Sequence, residues 1–209
     1  MRGLWSAPLP LPRYPSLRRI EGRLSFPRDM ANVGGITGFD ALEFVGQFSI
    51  NDNQRITVVS GFNRLAVCNG SFTVNNNDHL ATISGFNGLV SVRGGLRIAG
   101  SYNADGHPSV AGFNLLEAVP GELYIGRIRS LSGFGALARA GSLVVENNEQ
   151  VLAFPTFNAL QTVPGNFYIR DNRNVRQQPL PLCPSHALHS TLALGVELGR
   201  RRLHRHLHP

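Results

Sequence analysis

Residues 83–89 read ISGFNGL, a seven-residue word, or motif, that indicates a repeat fold because it recurs along the chain. Close copies read ITGFDAL at 36–42, VSGFNRL at 59–65, VAGFNLL at 110–116 and LSGFGAL at 131–137. A period of about 20–50 residues is typical of repeat proteins, in which one repeat cannot bury its apolar face alone. The central Phe recurs at intervals of 21 to 27 residues, at Phe39, Phe62, Phe86, Phe113, Phe134 and Phe157.

The residues after each word repeat as well. A Leu stands three residues after each Phe, and a small apolar residue stands three further on. A Gly follows, and we interpret it as a turn residue because Gly reaches positive φ without steric cost. These glycines are Gly46, Gly70, Gly94, Gly121, Gly141 and Gly165. An alternating strand then begins, with the inward pairs Phe48/Ile50, Phe72/Val74, Leu96/Ile98, Leu123/Ile125, Leu143/Val145 and Phe167/Ile169.

Four of the six repeats place an Asn three residues after the strand, at Asn53, Asn77, Asn148 and Asn172, while Ser101 and Ile128 stand there in the other two. Stacked Asn side chains at a turn can satisfy backbone groups of the neighbouring coil. The repeats therefore predict a mainly β solenoid of about six coils, in which equivalent strands pair in parallel sheets. The Phe–Leu–Val spacing permits one helical or 3₁₀ turn per coil.

Charge divides the chain into three parts. All 20 basic residues are Arg, and residues 33–175 hold nine of them against ten acidic residues, a net charge of −1. The two ends together hold eleven Arg against three acidic residues, a net charge of +8. We therefore predict an Arg/Pro-rich, poorly ordered N-terminal tail over 1–32, the solenoid over 33–176, and a Pro/His/Arg-rich C-terminal tail over 177–209. Because the repeats carry no basic stripe, we do not expect a nucleic-acid partner.

Other classes of protein and site are not indicated by the sequence. We expect no transmembrane segment, because the chain has no apolar run of about 18 residues, and prolines interrupt the short apolar N-terminus, which does not resemble a signal peptide. Cys68 falls on a small-apolar repeat position and is predicted to be buried, whereas Cys183 lies in the C-terminal tail. Five of the seven His also lie in that tail, and we predict no metal site and no cofactor.

The repeats of residues 33–176 resemble those of the receptor L-domain family. They share the pattern GF-x-x-L-x-x-V-G-x-L-x-I-x-x-N-x-x-L. That family includes the ligand-binding L domains of the insulin and epidermal growth factor receptors, and related repeats occur in fungal and microbial surface proteins. The resemblance implies a right-handed β-helix or leucine-rich-repeat-like solenoid. It also implies an extracellular or cell-surface location and a non-catalytic binding role.

The residues that could carry function are those that do not recur. If the inward pairs are correct, the outer face of the strands collects Tyr and Arg in the later coils, and these residues often anchor interfaces. We predict a protein or glycan partner there, and no catalytic residue, because the acidic residues share no register. The candidate residues are Arg97, Tyr124, Glu146, Tyr168 and Arg170, with Tyr102 in the longest repeat as a second candidate. The alternatives are a structural cell-wall or envelope component without a discrete ligand and, third, a β-helix carbohydrate-active enzyme.

Overall fold

The computed structural model describes residues 11–26, 33–102, 107–151, 157–172 and 174. Within these residues the chain forms fourteen β-strands and no helix, which confirms the predicted mainly β solenoid of about six coils. In chain order the strands are β1 (Arg19–Phe26), β2 (Gly35–Ile36), β3 (Phe44–Asn51), β4 (Val58–Val59), β5 (Val67–Cys68), β6 (Phe72–Asn75), β7 (Thr82–Ile83), β8 (Ser91–Val92), β9 (Leu96–Ala99), β10 (Ser109–Val110), β11 (Ala118–Gly126), β12 (Ser130–Leu131), β13 (Arg139–Glu146) and β14 (Phe167–Arg170).

The strands form two parallel sheets, one on each side of the core. The front sheet has nine strands, β1, β3, β5, β6, β8, β9, β11, β13 and β14, and the back sheet has five, β2, β4, β7, β10 and β12. Each strand pairs with the equivalent strand of the next coil, as Ile50 pairs with Val74 and Val59 with Ile83. Equivalent residues of successive coils therefore form columns along the solenoid, about 4.8 Å apart.

The repeated Phe residues fill the core, and the first five of the six stack on one another, while the ring of Phe157 is tilted by 54° from that of Phe134. All six are buried, and successive ring centroids from Phe39 to Phe134 lie 5.1 to 5.2 Å apart with nearly parallel planes. Stacking adds to the roughly 1.5–3 kcal/mol that burial of each large apolar side chain contributes. The Phe of each word thus joins its coil to the next.

The Gly of each seven-residue word makes a corner between the back sheet and the Phe stack. Gly38, Gly61, Gly85, Gly112 and Gly133 all have φ between 79° and 110°, a region that side-chain-bearing residues rarely adopt. A single turn follows, in which the amide of the repeated Leu donates to the carbonyl of the repeated Phe, as from Leu65 to Phe62 at 3.0 Å. The chain turns here by one tight bend, in agreement with the predicted single turn.

The second repeated glycine, which precedes each inward pair of the front sheet, has a different role from the predicted one. None of Gly46, Gly70, Gly94, Gly121, Gly141 and Gly165 has positive φ, so the interpretation as a φ-driven turn is wrong. These glycines instead lie against the backbone of an adjacent coil. A Cβ at Gly94 would lie 2.8 Å from Gly70 C and from Ser71 N, closer than non-bonded atoms approach. The missing side chain allows the coils to stack at strand spacing.

The predicted Asn ladder is present at the opposite corner. The Asn77 side chain accepts a hydrogen bond from the Asn53 amide at 3.0 Å and donates to the Ile50 carbonyl at 3.0 Å. Asn148 similarly accepts from the Ile128 amide, and Asn172 accepts from the Asn148 amide. Asn53, Asn77 and Asn148 are buried, so each ladder amide replaces the water that the turn backbone would otherwise need.

The structure corrects the predicted N-terminal boundary. Strand β1 lies inside the range 1–32 that was predicted to be a poorly ordered tail, and it pairs in parallel with β3. Tyr14 occupies the place of the repeated Phe, with its ring centroid 5.3 Å from that of Phe39. Leu17, Leu24 and Phe26 pack against the core. This coil escaped the repeat search because it has no Gly-Phe word. The predicted C-terminal tail, 177–209, lies outside the described residues.

Candidate recognition site on the front sheet

The predicted outward columns exist in the predicted register. One column runs through Ser49, Thr73, Arg97, Tyr124, Val144 and Tyr168, and the next runs through Asn51, Asn75, Ala99, Gly126, Glu146 and Arg170. The register follows from the fixed number of residues between the stacking Gly and each strand, because alternation with period two then sends equivalent residues to the same face. Five of the six candidate residues therefore lie together in the last four described coils.

Glu146 joins two neighbouring side chains of this group. Its Oε2 accepts a hydrogen bond from Arg170 Nε at 2.6 Å, and its Oε1 accepts one from the Tyr124 hydroxyl at 3.0 Å. The ion pair with Arg170 links two consecutive coils on the same column. Charge-assisted hydrogen bonds of this kind are shorter and stronger than neutral ones.

These contacts shift two pKa values in opposite directions. Burial alone raises the pKa of Glu146, but the hydrogen bonds from Arg170 and Tyr124 outweigh it, and the pKa lies below the ordinary glutamate value. Burial raises the pKa of Tyr124, and the hydrogen bond to the Glu146 carboxylate raises it further. At neutral pH the group therefore contains an ionised carboxylate and a neutral phenol.

Tyr124 is less accessible than its outward direction implies, with 6% of its surface exposed. The Arg97 guanidinium carbon lies 3.7 Å from the centre of the Tyr124 ring and covers it. The ring also passes over Gly126, where a Cβ would lie 2.9 Å from its Cε1 and hydroxyl atoms. With Ala99, Val144 and Tyr168, Tyr124 forms a small apolar cluster on the outside of the front sheet. Tyr124 therefore forms the buried base of the site, and the partly exposed side chain of Arg97 lies over it.

Tyr102 and Arg127 extend the site beyond the end of the strands. Tyr102 is 77% exposed, and the Arg127 guanidinium carbon lies 3.4 Å from its ring centre. Arg127 also acts electrostatically on Tyr124 and Glu146. The sequence reasoning missed Arg127 because it follows the strand in a left-handed conformation, with φ of 50°, where alternation no longer predicts direction. The rest of the predicted Tyr102 loop, 103–106, lies outside the described residues.

We refer to Arg97, Tyr102, Tyr124, Arg127, Glu146, Tyr168 and Arg170 as the arginine–tyrosine cluster. The residues of β3 and β6 in the same columns are small and polar. Ser49 and Thr73 lie in the Arg97 column, and Asn51 and Asn75 lie in the Ala99 column. The outer face of the front sheet therefore changes from small hydrogen-bonding groups to cationic and aromatic groups along the solenoid axis.

A second candidate surface lies at the Gly-Phe corner. A groove of about 510 Å³ runs across four coils there, lined by hydroxyls, amides, Asp40 and Arg13. The side chains of Asn63, Asn87 and Asn114 form an exposed ladder, in which Asn87 donates to Asn63 Oδ1 at 3.1 Å and Asn114 donates to Asn87 Oδ1 at 3.0 Å. The ladder amides therefore satisfy one another in part.

Cys68 and the possible metal ligands are further reactive side chains in the described part of the chain. Cys68 is buried, as predicted, and burial raises the pKa of its free thiol. Cys183 lies outside the described residues. Within the residues that the structure describes, no three His, Cys, Asp or Glu side chains are grouped as metal ligands. In the same residues no helix has the length and apolarity to cross a bilayer.

Comparison of the chain with protein-family models, with curated proteins and with solved structures found no match. The resemblance to receptor L domains thus rests on the repeat pattern alone, whereas the solenoid fold rests on the coordinates.

Proposed function

We propose that this protein is a non-catalytic recognition or adhesion module that binds a protein or glycan through the arginine–tyrosine cluster. The observation that carries the proposal is that four successive coils bring Arg97, Tyr124, Glu146 and Arg170 into contact on one outer face. Tyr and Arg are enriched at the centres of binding interfaces because they combine apolar area with directed hydrogen bonds. The contacts among these side chains also reduce the entropy lost on binding.

The proposed location is the cell surface or the extracellular space. This part of the proposal, like the relation to receptor L domains, is supported by the repeat pattern that runs through residues 33–176. A regular solenoid is well suited to recognition, because its rigid face presents side chains on a fixed grid.

The chemistry of Glu146 favours binding over catalysis at this cluster. A general acid needs a carboxyl group that is protonated near neutral pH, whereas Arg170 and Tyr124 lower the pKa of Glu146. The enzymatic alternative would require a second, unpaired carboxylate acting with it. The structural alternative, an envelope component without a ligand, predicts that substitutions in the cluster change nothing but stability.

Binding screens with matched variants test the proposal. The purified protein is screened against a glycan array and a peptide display library, together with Arg97→Ala and Arg93→Ala. Arg93 is the control, because it lies in the same coil, is exposed, and contacts Asn69 away from the cluster. We expect at least one ligand whose affinity falls about tenfold or more in Arg97→Ala and stays within about twofold in Arg93→Ala. Ligands that bind both variants alike, or no ligand in either screen, would contradict the proposal.

A further inference from the structure

Arg97 and Arg127 differ from Arg170 in what they contact. Arg170 is paired with Glu146, whereas Arg97 and Arg127 each lie on a tyrosine ring, at 3.7 and 3.4 Å from the ring centres. Among the described residues, neither guanidinium has an ion pair or a side-chain hydrogen bond. Stacking engages the flat face of a guanidinium and leaves its N–H groups at the edge, where they can bind an oxyanion.

The local charge balance leaves these two cations uncompensated. The cluster contains three Arg and one carboxylate, and that carboxylate already accepts hydrogen bonds from Arg170 and Tyr124. Asp171 lies beside Arg170 and acts on it, and Glu122, an exposed acid on the same strand as Tyr124, forms no ion pair with Arg97 or Arg127 among the described residues. The positive excess therefore lies on consecutive coils, because Arg97 is in β9 and Arg127 directly follows β11, with which β9 pairs.

The shape of the site favours a polysaccharide over a peptide. Peptides commonly bind by adding a strand to a sheet edge or by placing a helix in an apolar groove. Arg97, Tyr124 and Glu146 lie on β9, β11 and β13, which already pair with a strand on both sides, and the cluster extends from there to the terminal strand β14. It offers instead one exposed ring, Tyr102, and one half-buried ring, Tyr168, against which the apolar face of a sugar can pack.

The neighbouring columns extend the same surface. Thr73 and Asn75 present a hydroxyl and an amide, which are suited to bind sugar hydroxyl groups, whereas the Asn51 amide already donates to Ser49 Oγ. Arg97 and Arg170 are three coils apart, or about 14 Å at the spacing of paired strands. A linear chain with repeated negative charges would therefore meet cations in the later coils and neutral polar groups in the earlier ones.

We propose that the arginine–tyrosine cluster binds an acidic polysaccharide, whose carboxylate or sulfate groups pair with Arg97 and Arg127 while its sugar rings pack on the tyrosines. This inference rests on the proposed function and makes it specific, because it requires the ligand to carry negative charge.

The test measures binding of four defined probes to the full chain by calorimetry. The probes are an oligogalacturonide, its fully methyl-esterified form, a heparin-derived oligosaccharide and a polyglutamate peptide of similar length. Esterification removes the charge and keeps the sugar backbone, while the heparin fragment distinguishes sulfate from carboxylate. The variants are Arg97→Met, which retains an unbranched side chain to cover Tyr124, Arg127→Asn, which suits the left-handed backbone, and Arg93→Ala as the charge-matched control.

We expect one or both acidic oligosaccharides to bind, and the methyl ester to bind about tenfold or more weakly. Arg97→Met and Arg127→Asn should each reduce affinity for the acidic probe about tenfold, whereas Arg93→Ala should change it less than about twofold. Circular dichroism checks that each variant is folded.

Three results would overturn the inference. Equal binding of the methyl ester and the acid would show a neutral-glycan site, which contradicts the inference and leaves the proposed recognition function intact. Equal or tighter binding of polyglutamate would assign the site to an acidic protein. Binding that falls equally in all three variants would reflect the +7 charge of the whole chain and would contradict both proposals at this cluster.

Discussion

At the scale of single residues, the solenoid depends on where a side chain is missing. Gly94 and its equivalents lie against neighbouring backbone with ordinary φ, so their role is close approach rather than chain reversal. Gly135 is a useful contrast, because a Cβ there would meet no atom within 4 Å and its φ is not positive. The two glycines therefore separate the effect of stacking from the general effect of replacing Gly.

Gly94→Ala should lower the free energy of unfolding by about 1–3 kcal/mol, because the added methyl group overlaps Gly70 and Ser71 and forces the coils apart. Gly135→Ala should leave stability unchanged or raise it by up to about 1 kcal/mol, because Ala restricts the unfolded chain. Chemical denaturation monitored by circular dichroism measures both. An equal loss of stability in the two variants would contradict the stacking role.

At the scale of elements, the two side-chain ladders contribute unequally to the stability of the fold. The buried ladder through Asn77 binds backbone groups that have no access to water, whereas the exposed ladder through Asn87 binds side chains that water can also satisfy. Removing a partner from a buried backbone group costs far more than removing one at the surface. The buried Asn ladder therefore stabilises the coil, and the exposed ladder beside the groove leaves polar groups available to water or a ligand.

Asn77→Ala should destabilise the protein by about 1–3 kcal/mol, because it leaves the Asn53 amide and the Ile50 carbonyl without a partner in the core. Asn87→Ala, ten residues away, should cost less than about 0.5 kcal/mol, because its partners are exposed. Thermal unfolding of the pair provides the comparison. A similar cost at both positions would show that burial does not decide the contribution of the ladder.

The sequence predicts register well and side-chain contact poorly. Period-two alternation after each stacking Gly placed Arg97, Tyr124 and Tyr168 in one column, and the structure agrees. Alternation does not determine where a long side chain lies on its face, so the covering of Tyr124 by Arg97 could not be foreseen. Nor does it extend past the strand end, where Arg127 adopts positive φ.

At the scale of the whole molecule, the boundary of the solenoid was the feature hardest to predict. The first coil has Tyr14 and Leu17 in the positions of Phe and Leu, but it lacks the Gly-Phe word. A terminal coil has a neighbour on only one side, and terminal repeats are commonly atypical for that reason. Arg18, Arg19 and Arg23 belong to this coil, so part of the basic charge assigned to a tail lies on folded structure.

The parallel pairing of equivalent strands also determines how the protein would carry mechanical load. Hydrogen bonds between coils run along the solenoid axis, so tension applied between the two ends would strain the junctions between coils in series. We expect stretching in optical tweezers to release one coil at a time. A coil of 24 residues, such as that from Phe62 to Phe86, would add about 80 Å per step. One single rupture of the whole chain would show instead that the coils unfold together.

Unfolding one coil at a time would allow the protein to lengthen under load, while the coils that remain stacked keep their outer faces intact.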